Sequence, residues 1–276
     1  MASPKVTIII ATYNRTQYLG RAIESAQAQT LKDWEMIAVE DGSPDNTREV
    51  VAGYAARDPR VRCLSIPRAG RIAIVSNAAL REARGEYIAI LDDDDWWLDP
   101  KKLEKQAAFL NTHPDYVGCG GGIVTVNPEG KETGRVLKPE TNERIRACAL
   151  YANPMANLTT MFRRSAAEKV GRYDETMLQF ADWDFWLKMG LEGKLYNFPE
   201  YFAAYRMWER GASFSKQREI RICTWRIIHR YRGTYPGFAR AVAFAVSYSI
   251  YSCLPQGLKK VLNAPLSRLK KALFSN

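Results

Sequence analysis

The sequence has few of the residues and motifs on which several common enzyme classes depend. It contains two histidines, and its five cysteines are scattered without the paired spacing of a metal site. Neither the G-x-G-x-x-G pattern of dinucleotide-binding folds nor the P-loop pattern follows the first apolar run. These absences argue against a histidine or cysteine metal centre, an ordinary NAD-dependent enzyme and a P-loop NTPase.

Long hydrophobic runs are also missing. The apolar run at residues 6–11 is too short for a signal peptide, and the uncharged run at 241–254 is shorter than the about 20 residues that span a bilayer. An odd, dispersed set of cysteines is typical of a reducing compartment. We therefore expect a cytoplasmic protein with one large domain at residues 1–215 and a helical tail at 216–276.

The N-terminal part of the chain alternates between short apolar runs and helical periodicity. The predicted strands are residues 6–11, 35–39, 61–66 and 87–91, and the predicted helices are residues 15–29, 46–57 and 71–84. Strands that are apolar throughout, separated by helices, predict a parallel sheet covered on both faces. In such sheets ligands bind at the carboxyl ends of the strands.

Polar residues follow three of these predicted strands. Thr12 and Asn14 follow the first strand, Asp41 follows the second, and four consecutive aspartates at positions 92–95 follow the fourth. Clustered carboxylates at the end of a buried strand repel one another and are costly to desolvate unless a cation binds them. Hard oxygen ligands suit Mg²⁺ or Mn²⁺, which proteins commonly share with substrate phosphates. This edge of the sheet is therefore predicted to bind a nucleotide and a divalent metal.

The pattern becomes less regular after Pro100. The predicted helices are residues 101–110 and 180–191, and the predicted strands are residues 123–126, 158–162, 195–198 and 201–207. The glycine-rich run at 118–122 is expected to pass close to a ligand or to another part of the backbone.

Four motifs in this order resemble the family 2 glycosyltransferases, which have the GT-A fold. The motifs are VTIIIATYNR at 6–15, EDGSPD at 40–45, GEYIAILDDDD at 85–95 and DWDFW at 182–186. The resemblance implies an α/β fold with a Rossmann-like, mostly parallel sheet flanked by helices. It also implies transfer of a sugar from a nucleotide-diphosphate donor, with a UDP-sugar favoured, to an acceptor hydroxyl. Transfer would invert the anomeric carbon and depend on Mn²⁺ or Mg²⁺.

The resemblance also implies roles for single residues of the nucleotide site. Asp41 is expected to read the edge of the nucleobase, and Thr12 and Asn14 are expected to line the same pocket. Asp92 is expected to lie near the ribose and the sugar, and Asp94 is expected to ligate the metal directly.

The other acidic residues of these motifs are expected to have structural or catalytic roles. Asp93 and Asp95 are expected to serve the fold, because successive strand residues point to opposite sides and only two of the four can face the ion. Asp182 is the candidate general base that takes the proton of the acceptor hydroxyl. Asp184 is the alternative base, or else a helix cap.

The chain departs from the family pattern at several positions. Ala181 stands where the family has a glutamate before the base, and Ser76 stands where it has an arginine. Arg68 or Arg71 is expected to supply the missing phosphate-directed charge. Trp208 stands where the family has a histidine, and a tryptophan cannot ligate a metal. The Gln-x-x-Arg-Trp signature of processive polysaccharide synthases is absent, which favours transfer of a single sugar.

The basic residues are concentrated in the C-terminal tail. Residues 216–276 contain twelve Lys or Arg and one acid, Glu219, so their net charge is +11 and that of residues 1–215 is −1 out of a total of +10. After residue 255, leucines recur at helical spacing among basic residues, which is typical of binding to an anionic membrane. The alternative is a helix that packs on the catalytic domain.

The tail extends the functional prediction and leaves two alternatives. It suits a glycan or lipid-linked acceptor, as in surface polysaccharide assembly, and a peripheral position on the inner face of the cell membrane. A nucleotidyltransferase acting on a sugar phosphate is one alternative, although a glycine-rich basic loop would then follow the first strand. Nucleic-acid binding through the tail is the other alternative, and the uncharged run at 241–254 argues against it.

Overall fold

The computed structural model describes residues 3–208 and 216–253. Its strands are β1 (Val6–Thr12), β2 (Trp34–Asp41), β3 (Val61–Ile66), β4 (Tyr87–Asp92), β5 (Trp96–Trp97), β6 (Tyr116–Val126), β7 (Glu132–Val136), β8 (Met161–Arg163) and β9 (Lys194–Arg206). Its α-helices are α1 (Thr16–Gln27), α2 (Thr47–Ala55), α3 (Ile72–Glu82), α4 (Lys102–Thr112), α5 (Asn142–Cys148), α6 (Arg164–Lys169), α7 (Ala181–Glu192), α8 (Gln217–Tyr231) and α9 (Phe238–Cys253).

The strands form one nine-stranded sheet. Its order is β3-β2-β1-β4-β8-β6-β9-β5, with β7 paired to β6 outside this path. The first four strands are parallel, as predicted, and their register places Thr12 beside Glu40 and Ala11 beside Asp92. The carboxyl ends of β1, β2 and β4 therefore meet at one edge. Beyond β4 the sheet is mixed, because β8 runs antiparallel to both β4 and β6 while β9 runs parallel to β6.

Hydrophobic cores lie on both faces of the sheet. Ile9 and Ile37 face one core together with residues of α3 and α7, whereas Ile8 and Met36 face the other with residues of α1 and α4. This separation follows from the alternation of side chains along a strand. Each fully buried isoleucine contributes roughly 1.5–3 kcal/mol relative to an exposed one, so both faces must stay covered.

Two predictions of secondary structure need correction. The two late strands predicted at 195–198 and 201–207 are one strand, β9, with irregular register against β6. The strand predicted at 158–162 is a 3-10 turn, Asn157–Thr159, followed by β8. The glycine run at 118–122 lies inside β6 and passes close to another part of the backbone, as predicted, because a Cβ atom on Gly121 would lie 2.5 Å from the Phe202 ring and 3.1 Å from the Glu200 carbonyl oxygen. These elements depend on pairing partners that a local pattern does not contain.

The C-terminal helices pack on the domain that contains the sheet. Ile227 and Ile228 of α8 are buried in the same core as α7. Arg230 Nη1 donates to Asp184 Oδ1 at 2.6 Å, and the Tyr231 hydroxyl donates to the same oxygen at 2.9 Å. The basic, leucine-rich segment predicted after residue 255 lies outside the described residues. In the described ranges, every helix is too short or too polar to cross a bilayer.

Candidate active site

The four aspartates form a turn at the end of β4. The backbone nitrogen of Asp95 donates to the carbonyl oxygen of Asp92 at 3.3 Å. The chain then reverses into β5, where Trp96 and Trp97 pair antiparallel with Ala204 and Ala203 of β9. The short strand β5 was not predicted, because two residues carry no periodic signal. The turn therefore places the aspartates between β4 and the end of β9.

Asp95 holds the end of β9. Its side chain is buried, and its Oδ1 accepts a hydrogen bond of 2.6 Å from the backbone nitrogen of Arg206. Burial, together with the charges of Asp92 and Asp94, raises the pKa of Asp95 to about 9. This contact fits the structural role that the sequence predicts for Asp95.

Asp92 and Asp93 belong to a cluster of like-charged carboxylates, in which Asp93 Oδ2 accepts a hydrogen bond of 3.4 Å from the backbone nitrogen of Tyr13. Both side chains keep part of their surface exposed, yet they lie deep enough among protein atoms to lose much of their hydration. This burial, with the charges of Asp94, Asp93 and Asp182, raises the pKa of Asp92 to about 8. Burial and the Asp94 charge raise the pKa of Asp93 to about 7. Such mutual repulsion is relieved when a cation binds.

Asp94 is held from the opposite side of the turn. The indole Nε1 of Trp208 donates to Asp94 Oδ2 at 2.7 Å, and the Arg15 guanidinium lies 3.8 Å from the same oxygen. Arg15 also lies 5.2 Å from the centroid of the Trp208 ring, which packs edge-on against Tyr18. Trp208, at the position where the family has a histidine, therefore contacts the predicted metal ligand.

The donor set fits a divalent cation that is shared with a substrate. Asp92 and Asp94 supply hard carboxylate oxygens, and the buried Oδ2 of Asp95 has no hydrogen-bond partner among the described residues. Across residues 3–208 and 216–253, however, no group of three or more His, Cys, Asp or Glu side chains is arranged to hold a metal ion alone. The remaining ligands would have to come from the donor phosphates and water, as is usual for Mg²⁺.

Asp41 organises the loop that follows β3. Its carboxylate accepts hydrogen bonds from the backbone nitrogens of Ala69 at 2.6 Å and Gly70 at 3.0 Å, and it pairs with the Arg68 guanidinium. Arg68 also stacks over the Tyr13 ring, 3.4 Å from its centroid. Asp41, which is predicted to read the nucleobase, and Arg68, one of two candidates for the phosphate-directed charge, thus contact each other beside an aromatic ring.

The other predicted nucleotide ligands lie along the same edge. Thr12 is buried at the end of β1. Asn14 has a left-handed backbone with φ of 53°, and its nitrogen donates to Ser43 Oγ at 3.1 Å, which joins the loops after β1 and β2. Arg71 precedes α3, and its guanidinium donates to the Glu175 carbonyl at 3.2 Å. Arg71 is therefore tied to the loop before α7.

Asp182 lies in the first turn of α7, where the helix dipole favours a carboxylate. The residue before the helix, Phe180, has a left-handed backbone with φ of 58°. The Asn153 side-chain amide donates to Asp182 Oδ2 at 2.7 Å. The Asp182 side chain is partly exposed but largely surrounded by protein, and this burial raises its pKa. A raised pKa makes a carboxylate a stronger base.

Asp184 points away from this site. Its side chain is fully buried and pairs with Arg230 and Tyr231 of α8. A carboxylate in this position stabilises the contact between α7 and α8. The geometry therefore favours Asp182 over Asp184 as the base.

The aspartate turn and the start of α7 are near enough to interact electrostatically. The charge of Asp182 contributes to the raised pKa of Asp92. The Tyr205 hydroxyl is close enough to both elements that burial and the surrounding carboxylates raise its pKa to about 12. Sequence reasoning missed Asn153, which lies in an irregular loop without a motif. It also gave no role to Arg15, although Arg15 belongs to the first motif.

The sequence matches a known protein family over more than half of its length. The model of glycosyl transferase family 2 matches residues 7–171, which include the aspartate turn and Asn153. The chain belongs to glycosyltransferase family 2. The resemblance inferred from the motifs and the prediction of a glycosyltransferase are therefore confirmed.

Curated relatives agree with this assignment. The glycosyltransferase is 33% identical over 220 residues to the putative glycosyltransferase EpsE of Bacillus subtilis, covering 78% of this chain and 77% of EpsE. It is also 33% identical over 192 residues to chondroitin synthase of Pasteurella multocida, covering 69% of this chain but 19% of that protein.

Solved structures confirm the GT-A fold. Staphylococcus aureus TarS 1–349 in complex with UDP-GlcNAc has a TM-score of 0.65 at 20% identity, covering 88% of this chain and 71% of that one. The mannosyltransferase PcManGT from Pyrobaculum calidifontis, in complex with GDP-Man and Mn²⁺, has a TM-score of 0.63 at 18% identity, covering 96% and 80%. A longer TarS chain is matched over 43% of its length.

Proposed function

We propose that this glycosyltransferase transfers one sugar from a nucleotide-diphosphate donor to an acceptor hydroxyl, with inversion and with a divalent cation. The observation that carries the proposal is the electrostatic interaction between two acidic elements. The aspartate turn follows β4 and Asp182 lies in the first turn of α7. Burial, the charges of Asp94 and Asp93 and, to a smaller extent, the charge of Asp182 raise the pKa of Asp92. The aspartate turn is suited to binding a diphosphate with its cation, and Asp182 is suited to accepting the proton of an acceptor hydroxyl.

The nucleotide-sugar donor would bind at the carboxyl-terminal edge of the parallel strands. Thr12, Asn14 and Asp41 would line the nucleoside pocket, with Arg68 and Arg71 at its rim. A UDP-sugar is the favoured donor, in keeping with the UDP-GlcNAc complex of TarS. A GDP-sugar is the alternative donor to test, because PcManGT forms a complex with GDP-Man. The base contact of Asp41 would require that its carboxylate reach a nucleobase while still holding residues 68–70.

Asp92 and Asp94 would hold the cation together with the donor diphosphate. A bound Mn²⁺ or Mg²⁺ supplies Lewis-acid stabilisation of the leaving diphosphate. Arg15, 3.8 Å from Asp94 Oδ2, is placed to contact the same phosphates. The mutual repulsion of the aspartates favours this occupant, because a divalent charge offsets it.

Asp182 would act on the acceptor. Its carboxylate takes the proton of the attacking hydroxyl, while Asn153 holds it in place. A single attack from the side opposite the leaving diphosphate inverts the anomeric carbon. The acceptor is proposed to be a glycan or a lipid-linked glycan, as in surface polysaccharide assembly. Family membership favours this reaction over the nucleotidyltransferase and nucleic-acid-binding alternatives.

Release of nucleoside diphosphate from a panel of nucleotide sugars, with and without Mn²⁺, tests the proposal. Asp182→Asn should lower kcat by roughly 10²–10⁴-fold and leave donor KM nearly unchanged, because a base acts only in the transition state. Asp115→Asn, an exposed carboxylate paired with Lys194, is the matched control and should retain full activity. Failure of the wild type with every donor, or a loss of donor affinity alone in Asp182→Asn, would contradict the proposal.

A further inference from the structure

Helix α9 has two unlike faces. Ala241 and Ala245 are buried against the domain, and the Tyr248 hydroxyl donates to Gln217 Oε1 of α8 at 2.7 Å. Arg221 of α8 donates to Ser252 Oγ at 2.8 Å. These four α9 positions recur every three to four residues, so they form one stripe that faces α8 and the core.

The opposite stripe of α9 is apolar and exposed. It consists of Ala239, Ala243, Val246 and Ile250, whose spacing also follows one face of a helix. Val246 is 42% exposed and Ile250 is 61% exposed, although both are large aliphatic side chains. The only charged side chain of α9, Arg240, lies instead over the Tyr151 ring, 4.6 Å from its centroid. The outer face therefore presents no charge to solvent.

The charge of the sequence that follows α9 narrows the kinds of surface that could cover this face. The chain continues from α9 into residues 254–276, which contain Lys259, Lys260, Arg268, Lys270 and Lys271 and no acidic residue. Arg218 of α8 and the flanking residues Lys216 and Arg232 are also exposed and positively charged. A complementary surface must be negatively charged and must also accept aliphatic side chains. A bilayer that contains anionic lipids has both properties.

A second copy of the chain fits this face less well. A symmetric contact would bring two segments of net charge +11 against each other. Like charges opposed across an interface disfavour association. Within the described residues, α9 has 16 residues, fewer than the about 20 that cross a bilayer.

We propose that the outer face of α9, Ala239, Ala243, Val246 and Ile250, rests on the surface of an anionic membrane, with the basic residues of 254–276 bound to the lipid headgroups. The helix lies parallel to the membrane plane, and α8 and the core cover its other side. The proposal does not depend on the catalytic roles assigned above.

Flotation of the full chain with vesicles tests this proposal. Vesicles of phosphatidylcholine alone are compared with vesicles that also contain phosphatidylglycerol. The wild type should bind the anionic vesicles only, and binding should weaken with salt because screening reduces the attraction. The double variant Val246→Glu with Ile250→Glu should bind about tenfold or more weakly. Both positions are exposed, so thermal unfolding should remain unchanged.

Two control variants distinguish the contribution of the outer face of α9 from general effects of changed surface charge on vesicle binding. Val136→Glu changes a valine of equal exposure, 42%, on the distant edge strand β7 and should bind like the wild type. Lys259, Lys260, Lys270 and Lys271 changed together to glutamine should reduce the salt dependence without altering α9. Wild-type binding by the double variant, or absence of wild-type binding to anionic vesicles, would overturn the proposal. A dimer that the double variant dissociates would also overturn it, since a second copy would then be the partner.

Discussion

The side-chain amide of Asn153 donates a hydrogen bond of 2.7 Å to Oδ2 of Asp182. The orientation of this amide is fixed, because its Oδ1 accepts a hydrogen bond of 3.3 Å from the backbone nitrogen of Met155. Lys138 Nζ in turn donates to the Asn153 carbonyl oxygen at 2.9 Å. Where the family places a glutamate beside the base, this chain has Ala181, and Asn153 from another loop holds the carboxylate.

Asn153→Ala should move the pH dependence of catalysis. The lost hydrogen bond favours the ionised form of Asp182, so its removal raises the pKa of Asp182 further. The acidic limb of the kcat profile should then shift upward by about 0.5–1 pH unit, since a hydrogen bond contributes about 1 kcal/mol. Donor KM should stay constant. An unchanged acidic limb in Asn153→Ala would show that Asn153 does not act through Asp182.

Asp94→Asn should remove most of the metal-dependent turnover. An amide oxygen is a weaker ligand than a carboxylate, and the expected loss in kcat/KM is roughly 10²-fold or more. Calorimetric titration with Mn²⁺ in the presence of UDP should show weaker binding, while Asp115→Asn should bind normally. Turnover near that of the wild type would refute the assignment of Asp94 as the metal ligand.

Trp208→His should strengthen metal binding. The Trp208 indole lies 2.7 Å from Asp94 Oδ2, so an imidazole at this position could add a nitrogen ligand beside the carboxylate. We expect the Mn²⁺ affinity to rise about tenfold, in line with the effects of residues around metal ligands. Trp208→Phe is the matched control, because it removes the donor without adding a ligand. Equal Mn²⁺ affinities in the two variants would contradict this prediction.

Lys102 should make stability depend on pH. Its side chain is fully buried, its Nζ donates to Gln106 Oε1 at 2.7 Å, and burial lowers its pKa to about 7 from 10.5. The unfolded chain then binds more protons than the folded one between these values, so the free energy of unfolding should rise with pH across this window, by up to about 1.4 kcal/mol per unit.

Lys102→Met tests this dependence by urea unfolding at a series of pH values. The variant should be more stable than the wild type near pH 7, and its stability should vary less between pH 7 and 10, because no buried amine has to lose its proton. Lys101→Met changes an exposed neighbour and should follow the wild type. Parallel pH curves for the wild type and Lys102→Met would rule out the effect.

Asp184→Asn should destabilise the contact between α7 and α8. The Asp184 carboxylate is fully buried, and its loss leaves Arg230 with Asp174 as its remaining acidic partner. Because Arg230 is one-third exposed, we expect a loss of about 2 kcal/mol in unfolding free energy, below the usual cost of breaking a buried pair. Glu168→Gln, in an exposed pair with Arg164, should change stability by less than about 0.5 kcal/mol.

Local sequence patterns were sufficient to predict the strands that are buried on both faces. The apolar runs of β1, β2 and β4 predicted parallel strands, because a strand covered on both faces needs apolar residues throughout. The positions of Thr12, Asp41 and Asp92 at one edge followed from that topology. The strand β5 was missed, since its two residues are a strand only by pairing with β9.

The sequence by itself determined the family, the parallel half of the sheet and the edge at which the acidic residues gather, because strand burial and motif order are local properties. The tertiary structure alone decided which partners those residues have. Asn153 reaches Asp182 across 29 residues, Arg230 reaches Asp184 across 46, and Trp208 reaches Asp94 across 114. Such contacts depend on how loops and helices pack at long range, and no periodicity along the chain encodes the side chain that a carboxylate will meet.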